Sequence, residues 1–468
     1  MFFRTSNTPA LPFMLSAAGN LGNEGSLTAD NAQRSFLKFY GSRLLLGLIS
    51  LLMVADLVLR GLNLAFEPAK TDFSDVYAGA WLWRHGQNFY DSALATRAHE
   101  QLVHASFQIA PVYPPTAFVL VSPFTFLPWG WANFIWLLLG LAGIPATLFL
   151  LLRLRGPAGW DLRTFDPRTF DPRTWDLRTA ALATLVLSFN PLHQAYHLGN
   201  SALLVVPLCL GVISLAEAGH DLSAGLILGT AAALKPQVAF WILVYYLFRR
   251  RAKVLFGAVI PVAALMAIFF RRAVVLSTVI ASYRANLRFW FAPGRPDGFT
   301  EGARPYHVNM MQVVLYQIVH SVSAANLLAH ALFVIGLVIW ILIVWRARLH
   351  VPVSLAVSSL LALSFLSMYH SVSDVTFLTL ALCWAVPVEG RPWTRARIWT
   401  CALFLVMTLP GHSALMRFSP HLGASVTTQW WWHLFVERYF VWLLLALNVV
   451  LLASLRNSAA EMREEAPV

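Results

Sequence analysis

Twelve stretches of the chain are almost wholly apolar, at about 44–66, 131–152, 180–192, 201–218, 222–234, 238–248, 254–270, 325–345, 351–366, 375–388, 398–416 and 434–455. Between them sit compact basic clusters: RLRG at 153–156, RRRAK at 249–253, RAR at 346–348 and GRPWTRAR at 390–397. Loops rich in Lys and Arg stay in the cytoplasm. If each run crosses once, every one of these clusters falls on that side. The pattern predicts an all-α polytopic membrane protein with about 12 transmembrane helices, interfacial helices in its extracytoplasmic loops, and a cell-membrane location.

One apolar stretch breaks the count. PPTAFVLVSPFTFLP at 114–128 is interrupted by proline, and a crossing there would carry the Arg-rich 153–178 outside. It is therefore expected to be a re-entrant or interfacial half-helix. Arg43 before the first span holds the N-terminus in the cytoplasm, so residues 1–42 read as a short disordered tail, 43–456 as the membrane domain and 457–468 as a second cytoplasmic tail. Asp56 and Arg60 interrupt the first span one helical turn apart, and the simplest expectation is that they pair. The tandem DLRTF, DPRTF, DPRTW, DLRTA at 161–180 balances Asp against Arg and reads as a solvated linker.

Composition supports the membrane reading. Of 468 residues 58% are hydrophobic and 12% charged, against about 25% charged in soluble domains. The net charge of +12 would suggest a nucleic-acid partner in a soluble protein. Here the basic loops account for it, and none is expected. Three cysteines, all in apolar runs and without CxxC spacing, offer neither a disulfide framework nor a zinc site.

The extracytoplasmic segments are few and hold most of the reactive polar groups: Asp72, Asp75, His193, His197, Asn200, Lys235, His307, Asn309, His370 and Asp374. Their gathering at one membrane face predicts a site at that surface, reached from lipid and from outside. A transporter or flippase of a lipid-linked or anionic solute would instead need titratable groups at mid-membrane in two related halves. Only Asp56 is suitably placed, and no such repeat is visible. A third alternative is a scaffold with an inactive site. The long segment 271–324 is basic although it lies outside, and Arg284 and Arg288 are candidates to hold a phosphate, with lipid headgroups as the alternative partner. The acids at 72 and 75 have a plainer explanation too: Asp72 as the cap of a helix over 73–85, Asp75 at its third position and Gly86 as its stop. The alternation of Tyr77, Ala78, Gly79, Ala80, Trp81 and Trp83 suits a helix lying on the membrane interface.

Taken in order, TDFSDVYAGAWLWRHGQNFYD at 71–91, YPPTAFVLVSPFTFLP from Tyr113, GNSALLVVPLCLG from Gly199 and AGLILGTAAALKPQ ending at Gln237 resemble the successive blocks of glycosyltransferase family 87, of GT-C fold. NMMQVVLYQI and YHSVSD are looser counterparts of later blocks, and Gly199-Asn200 departs from the family's Gly-Gln form. The resemblance implies a membrane glycosyltransferase that takes a sugar, expected to be mannose, from a polyprenyl-phosphate donor to a lipid or glycan acceptor at the extracytoplasmic face. The lipid-linked sugar phosphate is then a substrate, and no separate cofactor is expected. No DxD motif stands near the site, so no metal ligand is assigned. Asp72 matches the family's first-loop acid, taken as the general base, with Asp75 in reserve. Tyr77, Tyr113 and Asn200 fall in the matching blocks as substrate contacts. Lys235 is the candidate for the donor phosphate, with snorkelling to the surface as the alternative, and His370 is placed to orient base or acceptor.

Overall fold

The computed structural model describes residues 25–65, 71–105, 107–155, 176–272, 275–292, 310–347, 351–388, 390–409 and 417–464. His307, Asn309 and most of the tandem pentapeptide lie outside them. The described chain is built of helices: α1 Gly25–Ala65, α2 Asp72–Arg84, α3 Ser92–Val103, α4 Pro115–Val121, α5 Trp129–Arg155, α6 Leu177–Leu187, α7 Asn190–His197, α8 Ala202–Glu217, α9 Asp221–Leu234, α10 Pro236–Phe248, α11 Ala252–Phe270, α12 Leu276–Phe291, α13 Met311–Val319, α14 Val322–Arg346, α15 Val353–Ser367, α16 Leu380–Ala385, α17 Arg395–Thr408 and α18 Tyr439–Glu464. A 3₁₀ helix, Val372–Thr379, leads into α16.

Each of the twelve apolar runs is mainly helical over its described residues. Among the described residues five helices are long and apolar enough to cross a bilayer: Leu44–Leu64, Trp129–Arg155, Ala252–Phe270, Val322–Arg346 and Tyr439–Ser458. The other apolar helices are shorter, and two runs are composite. Ser188 hinges α6 to α7, and the stretched 3₁₀ turns of 372–379 lengthen α16. The first helix begins at Gly25, so part of the stretch expected to be a disordered tail is helical. The last runs on to Glu464, into the second expected tail.

Polar contacts give the bundle two distinct ends. At one, Arg155 donates to the carbonyls of Val386 and Pro387 at 3.0 and 2.7 Å, and Arg178 to those of Val388 and Arg391. Arg251 pairs with Asp221 there at 2.9 Å. These arginines satisfy carbonyls and acids that the short helices leave exposed at their ends. At the other end, Asn133 donates to the Leu64 carbonyl and Trp136 to that of Gly199. The pentapeptide linker joins two segments that share the first end.

The start and the close of the 114–128 segment contact the same end of the bundle. Near its start Thr116 donates to Ala233, beside the Lys235 break, and at its close Tyr77 donates to Leu127. Both contacts lie at the end that holds α2. The first-span pair forms as expected, with Arg60 Nε 2.9 Å from Asp56, and His193 stands 3.5 Å from the same carboxylate.

The glycines of the AGLILG block have a packing role. A Cβ on Gly225 would sit 2.4 Å from the Val254 carbonyl oxygen, and one on Gly229 2.2 Å from that of Ala258. The missing side chains let α9 and α11 touch backbone to backbone, the small-residue solution to helix association in lipid.

Candidate active site

Five breaks in regular structure converge at the α2 end of the bundle. The first is the start of α2. Thr71 caps it, accepting from Ser74 N–H at 3.1 Å, while Thr71 N–H donates to Ser74 Oγ at 3.0 Å. This capping box corrects the expectation that Asp72 is the cap: the helix runs 72–84, and the Asp72 carboxylate is released for other partners. The Gly86 stop is where it was expected, with φ +70°. Most of the helix's residues are buried in protein, and a Cβ on Gly79 would strike the Phe118 ring at 2.4 Å, so its small residues make room for neighbouring aromatics.

The second break ends α7. Gly199 takes φ +58°, a region costly to residues with a Cβ. The turn folds Asn200 N–H back onto the Ala195 carbonyl at 2.8 Å. The third separates α9 from α10. A residue before proline is driven out of helical geometry, and Lys235, before Pro236, has φ −146° and ψ 75°. The fourth is the turn after α15 that carries His370. The fifth is the 3₁₀ helix, where Asp374 caps Ser371 N–H at 3.3 Å.

These breaks bring one connected network together. Asn200 Nδ2 donates to Asp72 Oδ2. Asn200 Oδ1 accepts from Ala202 N–H at 2.8 Å and from Lys235 Nζ at 2.6 Å. Lys235 is also ion-paired with Asp374 Oδ1, and His370 Nδ1 approaches Asp374 Oδ2 at 3.4 Å. The two donors facing Oδ1 and the carboxylate facing Nδ2 fix the orientation of the Asn200 amide. Lys235 is 4% exposed, Asp374 2% and His370 not at all. A buried, paired ammonium is no snorkel, which disposes of the alternative for Lys235. Two of its three N–H donors already have partners, which leaves one for a ligand.

Tyr113 completes one wall. Burial first, then the carboxylates of Asp72, Asp75 and Asp374, push its phenol well above the usual range, so it stays protonated. The loop that carries it is braced by α12. Asn286 donates to the carbonyls of Tyr90 and Pro111, each at 2.9 Å, and Trp290 to that of Ala110 at 2.6 Å. Asp72, Tyr113, Val76, Leu234, Trp136 and Ser201 are among the residues lining a cleft of about 240 Å³, mouth included. Beneath it Phe73 stacks on Trp136, ring centroids 4.4 Å apart.

Of the residues expected from sequence, Asp72, Asn200, Lys235 and His370 therefore lie in one network, and Tyr113 and Asp75 stand beside it. Tyr77 does not. Its hydroxyl donates to the Leu127 carbonyl at 2.7 Å within the aromatic core, so its role is structural. Arg284 and Arg288 are exposed on the face of α12 opposite Asn286, outside the network. Sequence reasoning placed Asp374 at this face without giving it a part in the site. Its spacing from His370 was the available signal.

The model described as Glycosyltransferase family 87 matches residues 112–371, more than half of the chain. Tyr113, Asn200, Lys235 and His370 fall within the match. Asp72 and Asp75 precede it; Asp72 is tied to it by the Asn200 amide and by its own N–H, which donates to the Leu198 carbonyl at 2.8 Å. No curated relative matches. Among solved structures the chain is similar to the crystal structure of ArnT from Cupriavidus metallidurans in the apo state, at 13% identity and a TM-score of 0.34, over 87% of this chain and 77% of that one.

Proposed function

The chain belongs to glycosyltransferase family 87 and is a membrane glycosyltransferase, and on that premise we propose that it transfers mannose from a polyprenyl-phosphate donor to a lipid or glycan acceptor, with Asp72 as general base. The observation that carries the reading is the Asp72–Asn200 contact. It fixes one acid at the mouth of a cleft, on a residue from the matched segment that is itself held by a buried ion pair. A base must be positioned within hydrogen-bond reach before its basicity counts.

In the proposed reaction the acceptor oxygen attacks the anomeric carbon while its proton passes to Asp72. The bond from that carbon to the phosphate oxygen breaks on the far side, and the lipid phosphate leaves with the electron pair, giving inversion. The transition state is oxocarbenium-like. The remaining N–H of Lys235 is the nearest cationic donor in the network for the leaving phosphate. Arg284 and Arg288, exposed on α12, serve the same anion before it enters or after it leaves. The end of the bundle that carries the network is the extracytoplasmic one, by the distribution of the Arg clusters. Asp56, the one acid suitably placed for a transporter, is paired with Arg60 and flanked by His193.

The test is to incubate purified protein with polyprenyl-phosphate-[¹⁴C]mannose and a panel of glycolipid acceptors. Label appearing in an acceptor, with no uptake of donor into sealed vesicles, is the expected result. Uptake without transfer would restore the transporter.

A further inference from the structure

Helix α12 has two sides with different work. Its buried side holds the site together. Asn286 Nδ2 donates to the Tyr90 and Pro111 carbonyls at 2.9 Å each, and Trp290 Nε1 to that of Ala110 at 2.6 Å. Phe291 meets Tyr369, the neighbour of His370, with ring centroids 5.1 Å apart. One helix thus braces both the loop that carries Tyr113 and the turn that carries His370.

The other side is exposed and sorted by residue type. Around the helix, Leu276, Leu287, Ile280 and Phe291 follow one another within about 60°, and Leu276, Ile280 and Phe291 are 48%, 42% and 37% exposed. Arg284, Ser277 and Arg288, all exposed, fill the next ~40°. The small Ala281, Ala285 and Thr278 come after them. An apolar stripe edged by arginines is the cross-section of a helix lying in a bilayer surface. Its place in the chain agrees: α11, long enough to cross a bilayer, ends at Phe270, and α12 begins at Leu276. Residues 271–292 carry four arginines and no acid, so the headgroups that complement them are anionic. A second copy of the chain is a poor cover, because a self-complementary contact would set these arginines against their own equivalents.

We propose that the exposed side of α12 is a docking surface for anionic phospholipid headgroups, and that lipid held by Arg284 and Arg288 steadies the loop carrying Tyr113 through Asn286 and Trp290. The apolar stripe sets the depth of the helix in the leaflet, and the arginines set which lipids it gathers. The phosphate of a polyprenyl donor offers the arginines the same chemistry as a phospholipid. The bulk lipid is the partner proposed here, so the test is made without donor and stands apart from the mannosyl-transfer reading.

The full-length protein is placed in nanodiscs running from pure phosphatidylcholine to equal parts phosphatidylcholine and phosphatidylglycerol. Hydrogen exchange is read at Ile109 N–H, which is bonded to Thr96 Oγ1 in the braced loop, with Thr179 N–H at the far end of the bundle as control. Exchange at Ile109 should slow as phosphatidylglycerol rises, and Thr179 should not respond. Native mass spectrometry of the detergent-solubilised protein should show phosphatidylglycerol retained in preference to phosphatidylcholine. Arg284→Ala/Arg288→Ala should weaken that retention roughly 30-fold, at about 1 kcal/mol per arginine, and abolish the slowing. Arg284→Lys/Arg288→Lys keeps the charges and should keep most of both. Asn286→Ala, checked for folding by size exclusion, should retain the lipid but lose the slowing at Ile109. Equal retention by parent and the double alanine variant overturns the docking surface. An Ile109 response that is absent in the parent, or that survives in Asn286→Ala, overturns the coupling. Slowing by added polyprenyl phosphate in pure phosphatidylcholine, with none from phosphatidylglycerol, would give the arginines to the donor alone and overturn the lipid partner.

Discussion

Removing one partner of the Lys235–Asp374 pair tests whether the network is assembled as described. The ion pair is sealed from water at both partners. Lys235→Met leaves the Asp374 carboxylate buried without its counter-charge, and breaking such a pair from one side costs about 3–5 kcal/mol. Asn200 is less affected, because its Oδ1 keeps Ala202 N–H. Asp374→Asn leaves the ammonium buried without a counter-ion and should cost a similar amount, while the amide oxygen preserves the cap on Ser371. The double variant Lys235→Met/Asp374→Asn buries no charge. It should be more stable than either single variant, with a coupling of about 2–3 kcal/mol. Unfolding in mixed micelles with rising denaturant, read by tryptophan fluorescence, supplies the four corners of the cycle. Losses that simply add in the double variant would mean that the two side chains do not meet, and the network would be wrong. The double variant should also be folded yet poor at transfer, which separates the stability of the site from its chemistry. Had Lys235 been a surface cation, Lys235→Met would weaken donor binding without cost to folding.

Three further outcomes are expected. In a cysteine-free background, Ala93→Cys and Thr394→Cys should label from opposite sides of the membrane. Labelling from one side would break the topology and force 114–128 to span. Gly229→Leu should separate α9 from α11, because even a Cβ meets the Ala258 oxygen at 2.2 Å. Loss of folded protein on size exclusion checks it, and normal yield would refute the packing. Gly199→Ala forces a Cβ into a left-handed turn at about 1–2 kcal/mol. It should shift Asn200 enough to lower transfer while most of the protein stays folded, and unchanged turnover would detach the turn from the site.

The sequence disclosed the fold because lipid imposes a strict rule. Backbone groups must be satisfied within each span, so apolar runs are helices wherever they occur, and Arg clusters mark which ends lie together. The site was legible where a sequence signal forces a break: Lys235 before Pro236, Gly199 before Asn200, and the acids after the first span. What stayed hidden is relational. Asp72 and Thr71 are both good caps by type, and only the reciprocal Ser74 bond shows that Thr71 holds the position. Tyr77 and Tyr113 are the same residue type in adjoining motifs, yet one serves the core and the other the cleft. Arg284 and Arg288 were sorted by charge alone, whereas the helix that carries them acts through Asn286 and Trp290 on its other face.

The central claim is that Asp72 takes the acceptor's proton, and its direct test is transfer by Asp72→Asn beside Asp75→Asn. Asparagine is near-isosteric, and the helix start is secured by Thr71, so Asp72→Asn should remain folded and bind the donor. Asparagine cannot accept a proton at neutral pH. Transfer from polyprenyl-phosphate-[¹⁴C]mannose should therefore fall by roughly 10²–10⁴-fold, the range of general-base catalysis, and Asp75→Asn should lose far less. Near-normal transfer by Asp72→Asn would contradict the account: with Asp75→Asn inactive the base is Asp75, and with both active neither acid is the base.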